Sequence, residues 1–515
     1  MADQLAAPAL PIYGHKVVKS PHISRLAQSA AVFKNAYCNF PICAPSRYSM
    51  LTGMLPNKFK AFDNASEFPA SIPTIAHYLA LGGYDTSLVG KMHFVGPDQL
   101  HGFEDRPVTD IYPADFAWVP DWKSGPRNAP TGISMRAVTE AGYCERSLQI
   151  DYDEEVDFFA NQKIYDLARY AEEKPFFMVA SFTHPHSPFT ALKDYWDFYS
   201  HEDIDMPSVG AIPFEKLDVH SQWLYFSHSR DKFNVTDEHI RNARHAYYAM
   251  ISYVDEKVGK LLRSLEKTGL DKNTIIIFTG DHGEMMGERG MWFKQTFYEW
   301  SSRVPLVIST PEMRANKRHI DVSNVVSLVD LFPTILEFAQ EDLASVANSL
   351  DGHSLVPLMN NNSHEWSNLA ISEYTDMGVC APCRMVRLDN FKYIYTHGHP
   401  AQLYDLDVDS LELNNLSGNA SFRGIEENLK SLTLKDWDPV MLEKEILRSQ
   451  AERKIVNDAA KKSRKYPNWS FEADRKDTHR YVRGSGDQEG TVAVKGRARY
   501  PYVDPSKPDN ESQII

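Results

Sequence analysis

Cysteine is scarce in this chain: Cys38, Cys43, Cys144, Cys380 and Cys383 are the only five in 515 residues. So small and odd a set argues against a disulfide framework and fits a reducing compartment, so a cytoplasmic location is expected. Positive charge is in deficit as well. Lys and Arg number 55 against 69 Asp and Glu, a formal charge of −14, and that argues against nucleic acid as a partner. A small anionic substrate stays open, because local cations decide its binding. No apolar run approaches the roughly 20 residues of a membrane-spanning helix, and no signal peptide is recognisable, so no membrane partner is expected. A second Cys-x-x-Cys is missing too. Cys380-Ala-Pro-Cys383 therefore cannot complete a four-thiolate zinc site, and its thiols read as incidental. Internal repeats are absent. What the chain does have is apolar residues (43%) and aromatics (12%), enough for a large core, and a length beyond one typical domain.

The most informative stretch is Cys43-Ala44-Pro45-Ser46-Arg47, continued by Tyr48-Ser49-Met50-Leu51-Thr52-Gly53. Pro45 fixes its own φ and biases Ala44 away from the helical region, so Cys43 is expected on a bend just ahead of a helix. Ser46 is the expected cap of that helix, whose N-terminus favours negative charge. Arg47 adds a planar cation suited to oxyanions. A lone cysteine in a turn is usually a small core residue. Here, however, the whole stretch resembles the sulfatase signature, Cys-x-Pro-Ser-Arg followed by Leu-Thr-Gly. That resemblance implies that Cys43 is oxidised after translation to formylglycine by a dedicated maturation enzyme. In sulfatases one hydroxyl of the hydrated aldehyde attacks the sulfur of a sulfate ester, and the alcohol leaves. The second hydroxyl then loses its proton and sulfate is expelled, a variant of covalent catalysis.

Along the chain, Pro21 to Ala27 reads as a helix and Ala31 to Asn39 as a strand. Ile72 to Leu81 is a helix ended by Gly82-Gly83, and Tyr84 to Val89 is a strand delivering Lys91 and His93. Residues 94 to 118 and 121 to 150 have loop composition. Asp153 to Glu172 is a helix. Pro175 to Phe182 and Asn273 to Gly280 are continuous apolar runs of the buried-strand type. They end in Thr183-His184-Pro185-His186 and Asp281-His282-Gly283-Glu284. Thr236 to Glu266 is a long amphipathic helix, Pro305 to Ser309 a strand, and Leu328 to Phe338 a helix with Pro333 in its first turn. Four short strands follow between 369 and 406, then a charged helix over 439 to 464. Alternating strands and helices predict an α/β fold: a central, mostly parallel sheet flanked by helices. By resemblance this is the alkaline-phosphatase and sulfatase-like fold. The expected division is a catalytic α/β domain over 1–355, a smaller antiparallel C-terminal domain over 356–464, and a tail over 465–515 packed at a subunit interface. Sulfatases open with a central strand that ends in acidic ligands. Asp3-Gln4 resemble those ligands with no strand ahead of them, so an N-terminally incomplete chain is expected.

Sulfate-ester hydrolysis needs a nucleophile, neutralisation of the sulfuryl oxygens and a proton for the leaving alkoxide. Cys43 is the nucleophile candidate. Arg47, Lys91 and Lys294 with a divalent metal are candidates for neutralisation, and His93, His186 and Lys294 for the proton. The resemblance implies Asp3, Gln4, Cys43, Asp281 and His282 as the metal ligands and Asn64 as a donor to sulfate. Many sulfatases have Asp-Asp and Asp-Asn where this chain has Asp3-Gln4 and Asp281-His282. The imidazole shifts preference from calcium, the family habit, toward manganese or zinc, with manganese the alternative. The stretch from Phe94 to Trp118 is similar to choline sulfatases, which implies choline-O-sulfate as substrate and a homo-oligomer, dimer or tetramer. A quaternary ammonium calls for aromatic faces and carboxylates; Trp118, Glu373 and Asp487 are the candidates, in that order. The alternatives are a phosphonate or phosphate ester hydrolase of the same superfamily and an inactive truncated paralogue.

Overall fold

The computed structural model describes residues 1–170 and 174–474. Its strands are β1 (Ala31–Tyr37), β2 (Asp85–Gly90), β3 (Asp105–Val108), β4 (Gly142–Cys144), β5 (Phe176–Ser181), β6 (Thr190–Leu192), β7 (Ile276–Thr279), β8 (Leu306–Ser309), β9 (Ile320–Ser327), β10 (Leu369–Tyr374), β11 (Cys383–Leu388), β12 (Phe391–Thr396) and β13 (Gln402–Asp405). Two sheets, ordered β3-β2-β5 and β7-β8-β1-β9, lie side by side. Residues 1–3 join them. Ala2 makes one parallel bridge to Phe182 beyond β5 and another to Gly280 beyond β7. The strand ladders across this surface are parallel except those of β8, which runs against β7 and β1; Tyr37 adds one antiparallel bridge to Arg303. The fold is therefore the expected α/β type with a mostly parallel sheet.

Alternate strand residues enter opposite layers, as the two-residue period of a strand requires. Val32 and Val307 pack under the long helix Asp237–Thr268, with its Tyr247, Met250, Ile251 and Val254. Ala31, Phe33, Leu306 and Ile308 pack on the other face with Tyr48 and Leu51. The long helix starts at Thr236, whose hydroxyl caps His239 N, and stops at Gly269 with φ +74°. β10 to β13 form an antiparallel sheet in chain order. Met385, Ile394 and Tyr404 face the main body beside Tyr37 and Phe40. Val386, Tyr393 and Leu403 face Leu429 of the helix Arg423–Leu434.

Several local expectations are corrected. The helix Cys43–Thr52 begins at the cysteine, with Ile42 as its N-cap, so Ala44 is helical and Ser46 does not cap it. Pro45 falls in the first turn, where a missing N–H costs nothing. The 94–118 stretch contains β3, and the 121–150 stretch contains β4 and the short helix Arg136–Thr139. β5 is only partly buried along most of its length and β7 along its first half. Between them, residues 1–3 pair near their carboxyl ends only.

Candidate active site

Five of the candidate residues sit just past a strand or bridge, the edge at which α/β sites form. Asp3 follows the Ala2 bridge, Lys91 follows β2, His186 follows β5, and Asp281 and His282 follow β7. Cys43 opens the helix after β1. Gly90, at φ +105°, is needed for this delivery: a Cβ there would lie 2.2 Å from Ser181 O.

Ligand atoms of Asp3, Cys43, Asp281 and His282 all lie within 4.8 Å of one another, and all four residues are buried. Cations ring this cluster. Arg47 Nε donates to Asp281 Oδ2 at 2.9 Å, and its Nη1 donates to Lys91 O at 2.7 Å and Ser181 Oγ at 3.0 Å. Its buried Nη2 has no hydrogen-bond partner among the described residues. Lys91 Nζ donates to Asp3 Oδ2 and stands 3.3 Å from Cys43 Sγ. His282 Nε2 is also 3.3 Å from that sulfur. Ser46 finds its role here, donating to Asp281 O at 2.6 Å.

Protonation follows from these neighbours. Burial by itself would push the Cys43 thiol up. The charges of Lys91, then Lys294 and His282, outweigh it and hold the thiol well below its usual value. Burial likewise opposes ionisation of Asp281, yet Arg47 and then His282 keep it below the usual carboxylate range. Asp3 is pushed up to about 7, first by burial and then by the charges of Asp281 and Cys43. A divalent cation relieves such crowding of anionic donors, and the two carboxylates with an imidazole fit one.

Gln4 is held at φ +62° between two partners: its Nε2 donates to Glu284 and its Oε1 accepts from Lys294. A carboxylate accepts only, so Glu284 fixes which way the amide points. Glu284 also accepts the N–H groups of Met286 (3.1 Å) and Phe293 (2.5 Å). Lys294 Nζ lies 2.7 Å from His186 Nε2. Burial and then Lys294 lower His186 to about 3, so its imidazole is neutral. Its Nδ1 faces Ser187 O, a pure acceptor, which places the ring proton there and makes Nε2 the acceptor of Lys294. His93 is lowered as well, by burial first. Its backbone N–H and that of Met92 donate to Asp110 Oδ2, at 2.7 and 2.9 Å. The His93 ring stacks on Tyr112 at 4.9 Å and meets Trp118 edge-on at 5.7 Å.

Asn64 Oδ1 accepts Ala44 N–H at 2.9 Å, beside the nucleophile candidate. Glu373 is placed elsewhere. It is buried in β10, pairs with Arg384 at 3.4 Å and accepts Asn57 N–H at 2.9 Å, so its carboxylate is spent. Asp487 lies outside the described residues. Sequence reasoning passed over Tyr112, whose hydroxyl reaches His186 at 3.2 Å and whose ring lies 4.1 Å from Lys91 Nζ. A single Tyr in a loop carries no local signal. Glu284 stands two residues past His282 and orients Gln4. Its removal has a definite expectation. Glu284→Gln should weaken divalent-cation binding by about 10- to 100-fold, as loss of a ligand-orienting partner does, measured by metal titration of the folded protein. Unchanged affinity would mean that Gln4 does not face the cation.

Comparison with known proteins gives this geometry a family. The Sulfatase family model matches residues 1–341, and the model of the N-sulphoglucosamine sulphohydrolase C-terminal region matches residues 287–437. The choline-sulfatase of Rhizobium meliloti (strain 1021) is 42% identical over 510 residues, 97% of this chain and 97% of the relative. The arylsulfatase of Clostridium perfringens is 28% identical and covers 85% of this chain and 93% of its own. Among solved structures, the phosphonate monoester hydrolase of Agrobacterium radiobacter superposes with a TM-score of 0.67 at 24% identity, over 87% of this chain and 95% of that one; at that identity the likeness is one of fold. With the signature cysteine opening a helix amid Arg47, Lys91, Asp3, Asp281 and His282, and with these matches, the chain belongs to the sulfatase family of sulfuric ester hydrolases.

Proposed function

We propose that this chain hydrolyses choline-O-sulfate to choline and sulfate. The observation that carries the reading is the near-full-length match to the choline-sulfatase of Rhizobium meliloti, 97% of each chain at 42% identity. Formylglycine made from Cys43 by a separate maturation enzyme supplies the nucleophilic hydroxyl, and a divalent cation at Asp3, Gln4, Asp281 and His282 supplies positive charge at the sulfuryl group. Calcium follows family habit; the His282 imidazole makes manganese the alternative.

The chain's own side chains do the rest. Arg47, Lys91 and Lys294 neutralise the sulfuryl oxygens, with the Asn64 amide as a further donor. The leaving alkoxide needs a proton that neutral His186 does not carry at Nε2, so Lys294, bonded to that nitrogen, is the source. Tyr112 and Trp118, rings 5.0 Å apart beside His93, offer the aromatic face that a quaternary ammonium prefers.

A quaternary ammonium on an aromatic face gains about 0.5–2 kcal/mol, so Trp118→Ala should lower kcat/KM for choline sulfate roughly 2- to 30-fold. Hydrolysis of an uncharged aryl sulfate should fall much less. Equal losses on both substrates would make Trp118 structural. The substrate itself is tested by comparing kcat/KM on choline sulfate, an aryl sulfate and phenylphosphonate. Preference for phenylphosphonate would replace this reading with a phosphonate ester hydrolase. A homo-oligomer, dimer or tetramer, belongs to the same reading and is measured by light scattering. Among the described residues no helix is long and apolar enough to cross a membrane.

A further inference from the structure

The loops carrying Asn64 and Trp118 are both gripped by the C-terminal helix Pro439–Ser463. Gln450 accepts Trp122 N–H at 3.0 Å, and Lys454 pairs with Asp121 at 2.5 Å. Glu445 pairs with Lys60 at 2.6 Å. The two lysine pairs are solvent-exposed and contribute little. Arg453 differs from them. Its Nη1 and Nη2 donate to Asp63 Oδ1 and Oδ2, each at 2.6 Å, with both side chains buried. Its Nε is satisfied within its own helix by Ser449.

A buried ion pair is a weak reason for stability, but a two-pronged fork fixes orientation. Asp63 opens a tight turn: its Oδ1 accepts Ala65 N–H at 2.9 Å and the Ser66 hydroxyl at 3.2 Å. Asn64 sits in that turn. Its N–H donates to Asp376 Oδ2 at 2.9 Å, and its side chain holds Ala44 N–H in the first turn of the helix that presents Cys43. A path thus runs from Arg453 by the two-pronged hydrogen bond to Asp63, through the peptide link to Asn64, and by the Asn64 Oδ1 hydrogen bond to the residue after the nucleophile. Asp376 is a second buried carboxylate beside Asp63, and burial and then the Asp63 charge push it well up. The Arg453 charge acts on both acids.

We propose that Arg453 is a positioning residue of the active site, fixing through Asp63 the turn by which Asn64 holds the first turn of the nucleophile helix. The C-terminal helix is then part of the catalytic apparatus, although Arg453 lies beyond the segments matched by both family models. The inference rests on the sulfatase site and not on choline as substrate.

The test uses full-length, metal-loaded protein and an aryl sulfate. Arg453→Met should lower kcat/KM roughly 10- to 100-fold, the usual cost of misplacing reacting groups. Hydrogen exchange of the peptide spanning residues 43–50 should rise about 10-fold while the long central helix stays protected. Arg453→Lys, which keeps the charge but loses the fork, should fall between wild type and Arg453→Met. In an Asn64→Ala background, Arg453→Met should cost less than about 3-fold, because the path is already cut. Should Arg453→Met not fold, Arg453→Lys and the neutral pair Asp63→Asn with Arg453→Gln carry the same measurements. Effects that multiply in the double variant, or unchanged exchange at 43–50, would overturn the proposal. If the wild type hydrolyses no sulfate ester, the activity reading fails, and the exchange measurement still decides the role of Arg453.

Discussion

Replacing Cys43 by serine is expected to lower turnover of any sulfate ester by at least ~1000-fold, and replacing it by alanine to abolish turnover. Serine fits the site: it is smaller than cysteine and can bond to Lys91 and His282 as the sulfur does, so the fold should persist. It also supplies an attacking hydroxyl. What it lacks is the second hydroxyl on the same carbon, whose deprotonation expels sulfate and regenerates the nucleophile. Cys43→Ser should therefore stop after at most one turnover, and mass spectrometry should find sulfate on residue 43. The same measurement on wild type should find sulfur lost and oxygen gained at that residue. A Cys43→Ser rate within tenfold of wild type would sink the aldehyde mechanism, because it would show water releasing the sulfated enzyme unaided.

Asp281→Asn is expected to lose the bound metal and at least ~100-fold in kcat/KM. Asparagine preserves the shape, and its carbonyl can still accept the N–H groups of Gln4 and His282, which the carboxylate takes at 3.0 Å each. The charge goes, however, and with it the partner of Arg47 Nε. Breaking a buried pair leaves an uncompensated cation, at a cost of about 3–5 kcal/mol, so the melting temperature should fall alongside the activity. Chelation of the wild type should reproduce the loss of rate without altering Arg47, and adding back calcium or manganese should identify the preferred ion. Stoichiometric metal with a normal rate in Asp281→Asn would remove this residue from the metal site.

Much of this protein was legible from local pattern. The motif from Cys43 to Gly53 named the family. The apolar runs ending in His184 to His186 and in Asp281-His282 placed those groups at strand ends, because side-chain period and the residue types at a strand's end are written within a few positions. The four short strands after residue 369 followed from the same two-residue period, and the structure has them as β10 to β13.

What local pattern did not hold is partnership across the chain. Glu373 reads as a free carboxylate in sequence, yet the register of β10 against β11 sets it opposite Arg384, and the pair is spent. Pro45 biases Ala44 away from a helix, but Asn64 accepts the Ala44 N–H and Ser46 donates to Asp281 O, and these bonds bring the residues into the first turn. Tyr112 became a site residue only when its loop folded against His93 and His186. Arg453 meets Asp63 across 390 positions. The sequence by itself determined which stretches become strands and roughly where they end, because that depends on the next few side chains. Which charges cancel, and which side chains hold the nucleophile helix in place, only the tertiary structure decided, because hydrogen bonds and ion pairs form between neighbours in space.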